Sequence, residues 1–98
     1  MVGIDDIIPT SNKNIETLNI YPNPVDRNTT LSFNLNRNSN IQISIYNLSG
    51  LLVNTLNAGT YYAGFNSVTL DCSRLTSGAY LIKIDAENEI MTAKMIVR

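Results

Sequence analysis

Apolar and polar residues alternate along this chain with a period of two, and this alternation restricts its fold more than any other feature. In the segments 31–35, 41–45 and 80–84 every second residue is a large apolar one, and the residues between are mostly polar. Successive side chains of a β-strand point to opposite faces of the sheet, so this pattern is typical of strands with one buried face. No segment keeps a helical period over ten residues. The chain is therefore predicted to be all-β.

Seven segments of this kind follow one another, and residues that favour turns separate them. The predicted strands lie near residues 17–20, 31–35, 41–45, 51–56, 68–70, 80–85 and 91–97. Short strands at a spacing of about 8–12 residues are typical of an antiparallel sandwich. We therefore predict a seven-stranded antiparallel β-sandwich with an immunoglobulin-like Greek key. Its core is predicted to contain the inward residues of both sheets, namely Phe33, Ile43, Ile45, Leu70, Ile82 and Ile84.

The chain of 98 residues has room for one domain and a short extension. Residues 11–14 are polar and without period, and Pro9 disfavours a helix at Ile8. We interpret residues 1–16 as a linker and residues 17–98 as the folded domain. No apolar run approaches the ~18 residues of a membrane helix, so direct membrane insertion is not expected. The first residues do not open a signal peptide, so the chain is either cytosolic or the tail of a longer precursor.

The composition argues against nucleic-acid binding and against catalysis. Seven basic and eight acidic residues leave a net charge of −1, without the basic cluster that nucleic acids or anionic membranes attract. The chain has no His, the usual general base near neutral pH and the commonest metal ligand. The single Cys72 cannot form an intrachain disulfide and has no His to activate it. We predict a non-catalytic domain without a cofactor.

Acidic residues at the last predicted turn are a weak candidate for a metal site. Asp85, Glu87 and Glu89 alternate there, and their carboxylates could hold a hard cation such as Ca²⁺. The glycine and the later bidentate Glu of a calcium loop are missing, which favours a solvated turn.

Three aromatic residues near a glycine-bracketed loop form an alternative binding face. Tyr61, Tyr62 and Phe65 lie within or next to the segment between two Ala-Gly pairs. Tyrosine on a rigid β-surface often contacts sugars or proteins, so these side chains could serve an immunoglobulin-like binding or adhesion module that recognises glycan or protein. The alternative interpretation is that they cap an open end of the sandwich.

Four short motifs follow one another along the chain, and the last of them ends at the final residue. They are residues 20–24 followed by 31–33, residues 43–47 running into Gly50 and Val53, residues 75–80, and residues 94–98. In this order and spacing the chain from residue 17 onward resembles the C-terminal sorting domain of type IX secretion cargo from bacteria of the Bacteroidetes group.

This resemblance implies a non-catalytic address label on a larger, upstream cargo protein. The precursor would fold its C-terminal domain in the periplasm, be read by an outer-membrane translocon, and reach the cell surface or the medium. A sortase-like protease would cut within residues 1–16. The positions that match the family's motifs are Pro22, Asn23, Pro24, Gly50, Gly78, Tyr80, Lys94 and Arg98.

Several of these positions also have a purely structural interpretation. Pro22 and Pro24 restrict the backbone after the first strand, and Tyr21–Pro22 is a candidate cis bond although cis is uncommon even before proline. Glycine at turns permits conformations closed to other residues. Tyr80 is expected to point inward, and an outward Lys94 on an edge strand would discourage the addition of another strand.

Overall fold

Seven antiparallel strands make up the part of the fold that the structure describes. The computed structural model describes residues 14–98, except for the side chains at positions 57 and 58. The strands are β1 (Ile15–Tyr21), β2 (Asn28–Leu35), β3 (Ser39–Asn47), β4 (Leu52–Tyr61), β5 (Gly64–Asp71), β6 (Gly78–Ala86) and β7 (Glu89–Val97). A parallel bridge between Val25 and Val97 adds one isolated extended residue beside β7.

The strands form two sheets that pack face to face. One sheet has the order β1-β2-β5 and the other the order β4-β3-β6-β7. Each of the hairpins β1–β2, β3–β4 and β6–β7 stays in one sheet. The connections β2–β3, β4–β5 and β5–β6 cross from one sheet to the other. This arrangement confirms the prediction of an all-β antiparallel sandwich. Within the described part of the chain there is no helix long and apolar enough to cross a membrane.

The inner faces of both sheets supply the core. All six predicted core residues are at most 1% exposed, as expected where alternating strands turn every second side chain inward. Cys72, in the connection after β5, and Val25, in the connection between β1 and β2, are buried with them. Val25 was not predicted because a single apolar residue next to a proline carries no periodic signal.

The fourth strand is longer than its sequence pattern predicts. The predicted strand ends near residue 56, with a loop over 58–64, but β4 continues to Tyr61. The ring of Tyr61 packs against Phe33 with 5.8 Å between centroids. Gly59 takes a φ of +85°, and the register against β3 shifts twice. Pairing with β3 continues as far as Ser39 and Tyr61, so β4 is longer than its local sequence pattern indicates.

The first strand begins at Ile15, two residues before the predicted start of the domain. The greater part of the predicted linker, residues 1–13, lies outside the described residues. Asn14 and Ile15 are buried, at 1% and 2% exposure. The folded domain therefore includes Asn14 and Ile15.

We expect the Cys72 thiol to be protected from alkylation. The residue is 1% exposed, and its Sγ lies 3.9 Å from the Sδ of Met95. Burial raises the pKa of the thiol, and the charge of Asp71 adds to the effect. The stability gained from burying the neutral thiol is thus present below the thiol's unfolded pKa and is lost as the pH rises through its folded pKa. At pH 8 the native protein should react with iodoacetamide at least ~100-fold more slowly than the denatured protein.

A matched control moves the thiol by one residue. Ser73 is exposed, so a Ser73→Cys variant in a Cys72→Ala background should react at nearly the denatured rate. Equal rates for native and denatured Cys72 would contradict its burial.

Candidate functional site

The connection between β1 and β2 lies along the outer edge of β7. The Asn23 side chain makes both hydrogen bonds of an amide there: its Oδ1 accepts from the Ile96 N–H at 2.9 Å, and its Nδ2 donates to the Lys94 carbonyl at 3.0 Å. A carboxamide carries one acceptor and one donor group, as a peptide unit does. Asn23 therefore occupies the place of a neighbouring strand beside β7.

Val25 continues this pairing with its backbone. Its N–H donates to the Ile96 carbonyl at 2.7 Å, and its own carbonyl accepts from the Arg98 N–H at 2.8 Å. The Val25 side chain is fully buried. Together with Asn23 it pairs the outward polar groups of β7 from Lys94 to Arg98. The ion pair between Arg98 and Asp26, at 3.7 Å and well exposed, adds little.

Two prolines flank Asn23 and shape the connection. The Tyr21–Pro22 and Asn23–Pro24 peptide bonds are both cis. Neither proline has an N–H that would need a partner. The Pro22 carbonyl accepts from the Thr29 hydroxyl at 2.7 Å. The connection is thus tied to its own hairpin as well as to β7.

The other end of β7 is attached to the start of β1. The Glu89 carboxylate accepts from the Asn14 N–H, at 2.8 and 3.0 Å to its two oxygens, and from the Ile15 N–H at 3.1 Å. The Asn14 carboxamide is buried and donates to the Ser39 hydroxyl at 2.7 Å. Its Oδ1 accepts from the Arg37 N–H at 3.1 Å. One end of β7 is therefore bonded to the start of β1, and the other end is bonded to the connection that follows β1.

The acidic residues considered for Ca²⁺ have other roles in the structure. Glu89 binds the backbone at the start of β1, and Glu87 accepts from the Asn40 N–H at 3.1 Å. Within residues 14–98 no group of three or more His, Cys, Asp or Glu side chains could hold a metal ion. The geometry thus offers no metal centre at this turn.

The family-motif positions gather at one end of the sandwich. Gly78 pairs with Val97, and Asn47 pairs with Tyr80. The β3–β4 turn, where Gly50 has a φ of +87°, therefore lies towards the same end as the last residues of β7 and the 22–27 connection. We call this region the terminal surface. It consists of residues 22–27, the β3–β4 turn with Gly50, the start of β6 at Gly78, and residues 94–98.

The side chains of the terminal surface differ in their exposure. Lys94 is exposed, whereas Tyr80 is 6% exposed and its hydroxyl donates to the Thr76 carbonyl at 2.7 Å. Tyr80 therefore supports the surface from inside. Leu48 and Leu51, in the β3–β4 turn, are 77% and 64% exposed. The surface thus presents apolar and cationic side chains on a hydrogen-bonded frame.

The three aromatic residues of the alternative face do not share one exposed surface. They lie at the opposite end of the sandwich, where Tyr61 pairs with Ser39. Tyr62 and Phe65 are 69% and 71% exposed, but Tyr61 is half-buried against the ring of Phe33. Tyr61 has a packing role.

Sequence reasoning did not identify two parts of this arrangement. The sequence pattern identifies Glu89 only as a possible metal ligand, and it does not single out Val25. Both act through contacts with residues more than 70 positions away in the chain. No local pattern in a single sequence signals such contacts.

Comparisons with known proteins identify the family of this chain. The family model described as the secretion system C-terminal sorting domain matches residues 19–98. Among solved structures, the chain is similar to dimeric latent PorU from Porphyromonas gingivalis, with a TM-score of 0.63 and 26% sequence identity. That match covers 82% of this chain but only 9% of the PorU chain. No match was found among curated proteins.

Replacing Asn23 should loosen the end of β7. In Asn23→Ala the Ile96 N–H and the Lys94 carbonyl lose their partners, which should lower the free energy of unfolding by about 1 kcal/mol. Amide exchange at Ile96 should accelerate at least ~10-fold, while exchange in the central strand β6 should change only with global stability. Urea unfolding and hydrogen exchange followed by NMR measure the two effects.

The matched control is Asn54→Ala on the opposite edge strand. The Asn54 side chain bonds only locally, accepting from the Thr55 N–H at 2.9 Å, so Ile96 exchange should not change. Unchanged Ile96 exchange in Asn23→Ala would contradict the pairing with Asn23.

Replacing Glu89 should destabilise the domain more strongly. Glu89→Ala leaves the N–H groups of Asn14 and Ile15 without their carboxylate acceptor, and hydrogen bonds to charged groups contribute about 1.5–3 kcal/mol each. We expect the free energy of unfolding to fall by about 3 kcal/mol or more, measured in urea. In the control Glu16→Ala one exposed bond to Asn36 is lost, and the change should stay below ~1 kcal/mol. A Glu89→Ala effect no larger than that of the control would contradict a stabilising role for the hydrogen bonds from Glu89 to the start of β1.

Proposed function

This chain belongs to the family of secretion system C-terminal sorting domains, and from that premise we propose that its terminal surface is what the secretion machinery reads. The domain is a C-terminal sorting signal. It works with the type IX secretion system and directs the protein that carries it to the cell surface or to the outside. The proposal concerns which residues carry the signal.

The pairing of Asn23 with β7 is the observation that carries this proposal. It joins two motifs that lie 71 and 73 positions apart along the chain. A linear tail cannot contain such a pairing, so the surface exists only in the folded domain. The signal is therefore read as a folded object, with Lys94 and Arg98 held on a rigid edge.

The proposal also assigns partners and a route. The domain would fold in the periplasm and present the terminal surface to an outer-membrane translocon. A sortase-like protease would then release or attach the cargo upstream of the domain. We place the cut among residues 1–13, because the backbone of Asn14 and Ile15 is held by Glu89.

We further propose that the domain itself has no catalytic role. A sorting signal acts through its shape and surface groups, and the chain contains no His to serve as a general base near neutral pH. The adhesion alternative is not favoured by any observation, and Tyr61 contacts the core.

An export assay tests the proposal. Residues 14–98 would be fused to a carrier that has an N-terminal signal and expressed in a bacterium with a type IX system. The fusion should export the carrier, and removal of residues 90–98 should abolish export. Asn23→Ala should reduce export, because it loosens the end of β7 that carries part of the proposed surface while the domain stays folded. Asn54→Ala, the matched control, should export normally.

Three results would overturn the proposal. The first is equal export without residues 90–98. The second is full export by a carrier that has only residues 90–98, because the signal would then be linear. Equal export by the Asn23→Ala and Asn54→Ala fusions would likewise exclude the pairing as part of the signal.

A further inference from the structure

The outer face of the four-stranded sheet carries a row of side chains that runs across all four strands. Directly paired residues of neighbouring strands project to the same face of a sheet. Tyr46 of β3 pairs with Leu52 of β4 on one side and with Leu81 of β6 on the other. Leu81 pairs in turn with Lys94 of β7. Because Ile45, the neighbour of Tyr46, is buried in the core, the row faces outward.

The apolar side chains of this face are exposed to an unusual extent. Leu52, Leu81 and Ile96 are 54%, 42% and 36% exposed, and Ile96 lies on the same face as Lys94, two residues further along β7. Tyr46 is half-buried. Contiguous exposed apolar side chains mark interaction surfaces, whereas single ones are ordinary. We call Leu52, Tyr46, Leu81 and Ile96 the lateral patch.

Two lysines border the lateral patch. Lys94 ends the row. Lys83 is the next outward residue of β6 after Leu81, and its Nζ lies 5.5 Å from the centre of the Tyr46 ring. Within residues 14–98 neither lysine forms an ion pair, and the next outward residue of β6, Asp85, lies beyond Lys83. The border therefore complements a partner that brings carboxylates of its own.

The spacing of the row matches an α-helix that lies across the strands. Neighbouring strands of a sheet are about 4.8 Å apart. Side chains on one face of a helix recur every three or four residues, which corresponds to a rise of about 4.5–6 Å. Side chains on one face of a strand are about 6.6 Å apart, which matches the row less closely.

We propose that the lateral patch binds an amphipathic α-helix of the secretion machinery, with the aliphatic side chains of the helix on the patch and its carboxylates beside Lys83 and Lys94. This inference rests on the proposed sorting role, and it names the chemistry of the partner. The patch adjoins the terminal surface, because Lys94 and Ile96 belong to both regions.

Other occupants fit the lateral patch less well. A second copy of the chain has no helix within residues 14–98 to offer. An anionic membrane would gain little from two lysines on a chain with a net charge of −1. In addition, the patch lies on the face of a sheet and not on a protruding loop.

A peptide titration of the full 98-residue chain, followed by NMR, tests the binding. The probe is an eighteen-residue helical peptide with leucine along one face and glutamate on both flanks. It should shift the resonances of Tyr46, Leu81 and Ile96, and it should leave those of β5 unchanged. A matched peptide with lysine in place of glutamate should bind at least ~10-fold more weakly, because like charges would face Lys83 and Lys94.

Two pairs of variants locate the site. Lys83→Glu should weaken binding of the glutamate peptide at least ~10-fold, and Lys83→Arg should preserve it. Leu81→Ser should also weaken binding. The control Ile90→Ser removes an exposed aliphatic side chain at the other end of the same face and should have no effect. Thermal unfolding of each variant verifies its fold.

The same variants in the export assay separate this inference from the proposed function. Lys83→Glu and Leu81→Ser fusions should export less carrier, whereas Lys83→Arg and Ile90→Ser fusions should export normally. Normal export by the first pair, while removal of residues 90–98 still abolishes export, would overturn the inference and leave the sorting role intact.

Four binding results would also overturn the inference. The first is the absence of any shift at the lateral patch on addition of the glutamate peptide, and the second is equal binding of the two peptides. The third is a shift at the patch, without peptide, that is caused by phosphatidylglycerol vesicles or by a higher protein concentration, since a lipid surface or a second copy would then be the occupant. The fourth is a shift at the patch in an Asp5→Lys variant, which would identify residues 1–13 of the same chain as the occupant.

Discussion

The terminal surface depends on the pairing of the outer edge of β7 with the segment that follows β1. An edge strand exposes unpaired N–H and carbonyl groups, which cost free energy if buried and invite other strands if exposed. Here a side-chain amide from Asn23 and the backbone of Val25 satisfy those groups. The same contacts bring Pro22 and Pro24 beside Lys94 and Arg98. One set of hydrogen bonds thereby protects the edge and assembles the surface.

A second polar cluster complements this pairing at the other end of the strand. The Glu89 carboxylate holds the start of β1, and Asn14 extends the network to Ser39. Both ends of β7 are thus bonded to the other sheet, through the start of β1 and through the connection between β1 and β2. The opposite side of the sandwich, between β4 and β5, contains a cavity of about 470 Å³.

The sequence contains no His, and its single Cys72 is buried. A sorting signal needs a stable shape that a receptor can recognise, and it needs no reacting groups. The stability comes from apolar side chains such as Phe33, Ile43 and Ile84, which are fully buried. In our proposal the specificity of the signal lies in the groups that the edges and turns of the terminal surface leave exposed.

The all-β class, the two-sheet core and the inward orientation of Tyr80 follow from local alternation, because a strand's side chains change face at every residue. Turn residues such as Gly50 can also be predicted from a single sequence, because the backbone conformation that they allow is set locally. The longer β4, the burial of Val25 and the clamp by Glu89 depended on partners elsewhere in the chain. Which strand edges are covered and which are open was settled only when the sheets packed, because hydrogen bonds between distant segments leave no periodic trace in the sequence.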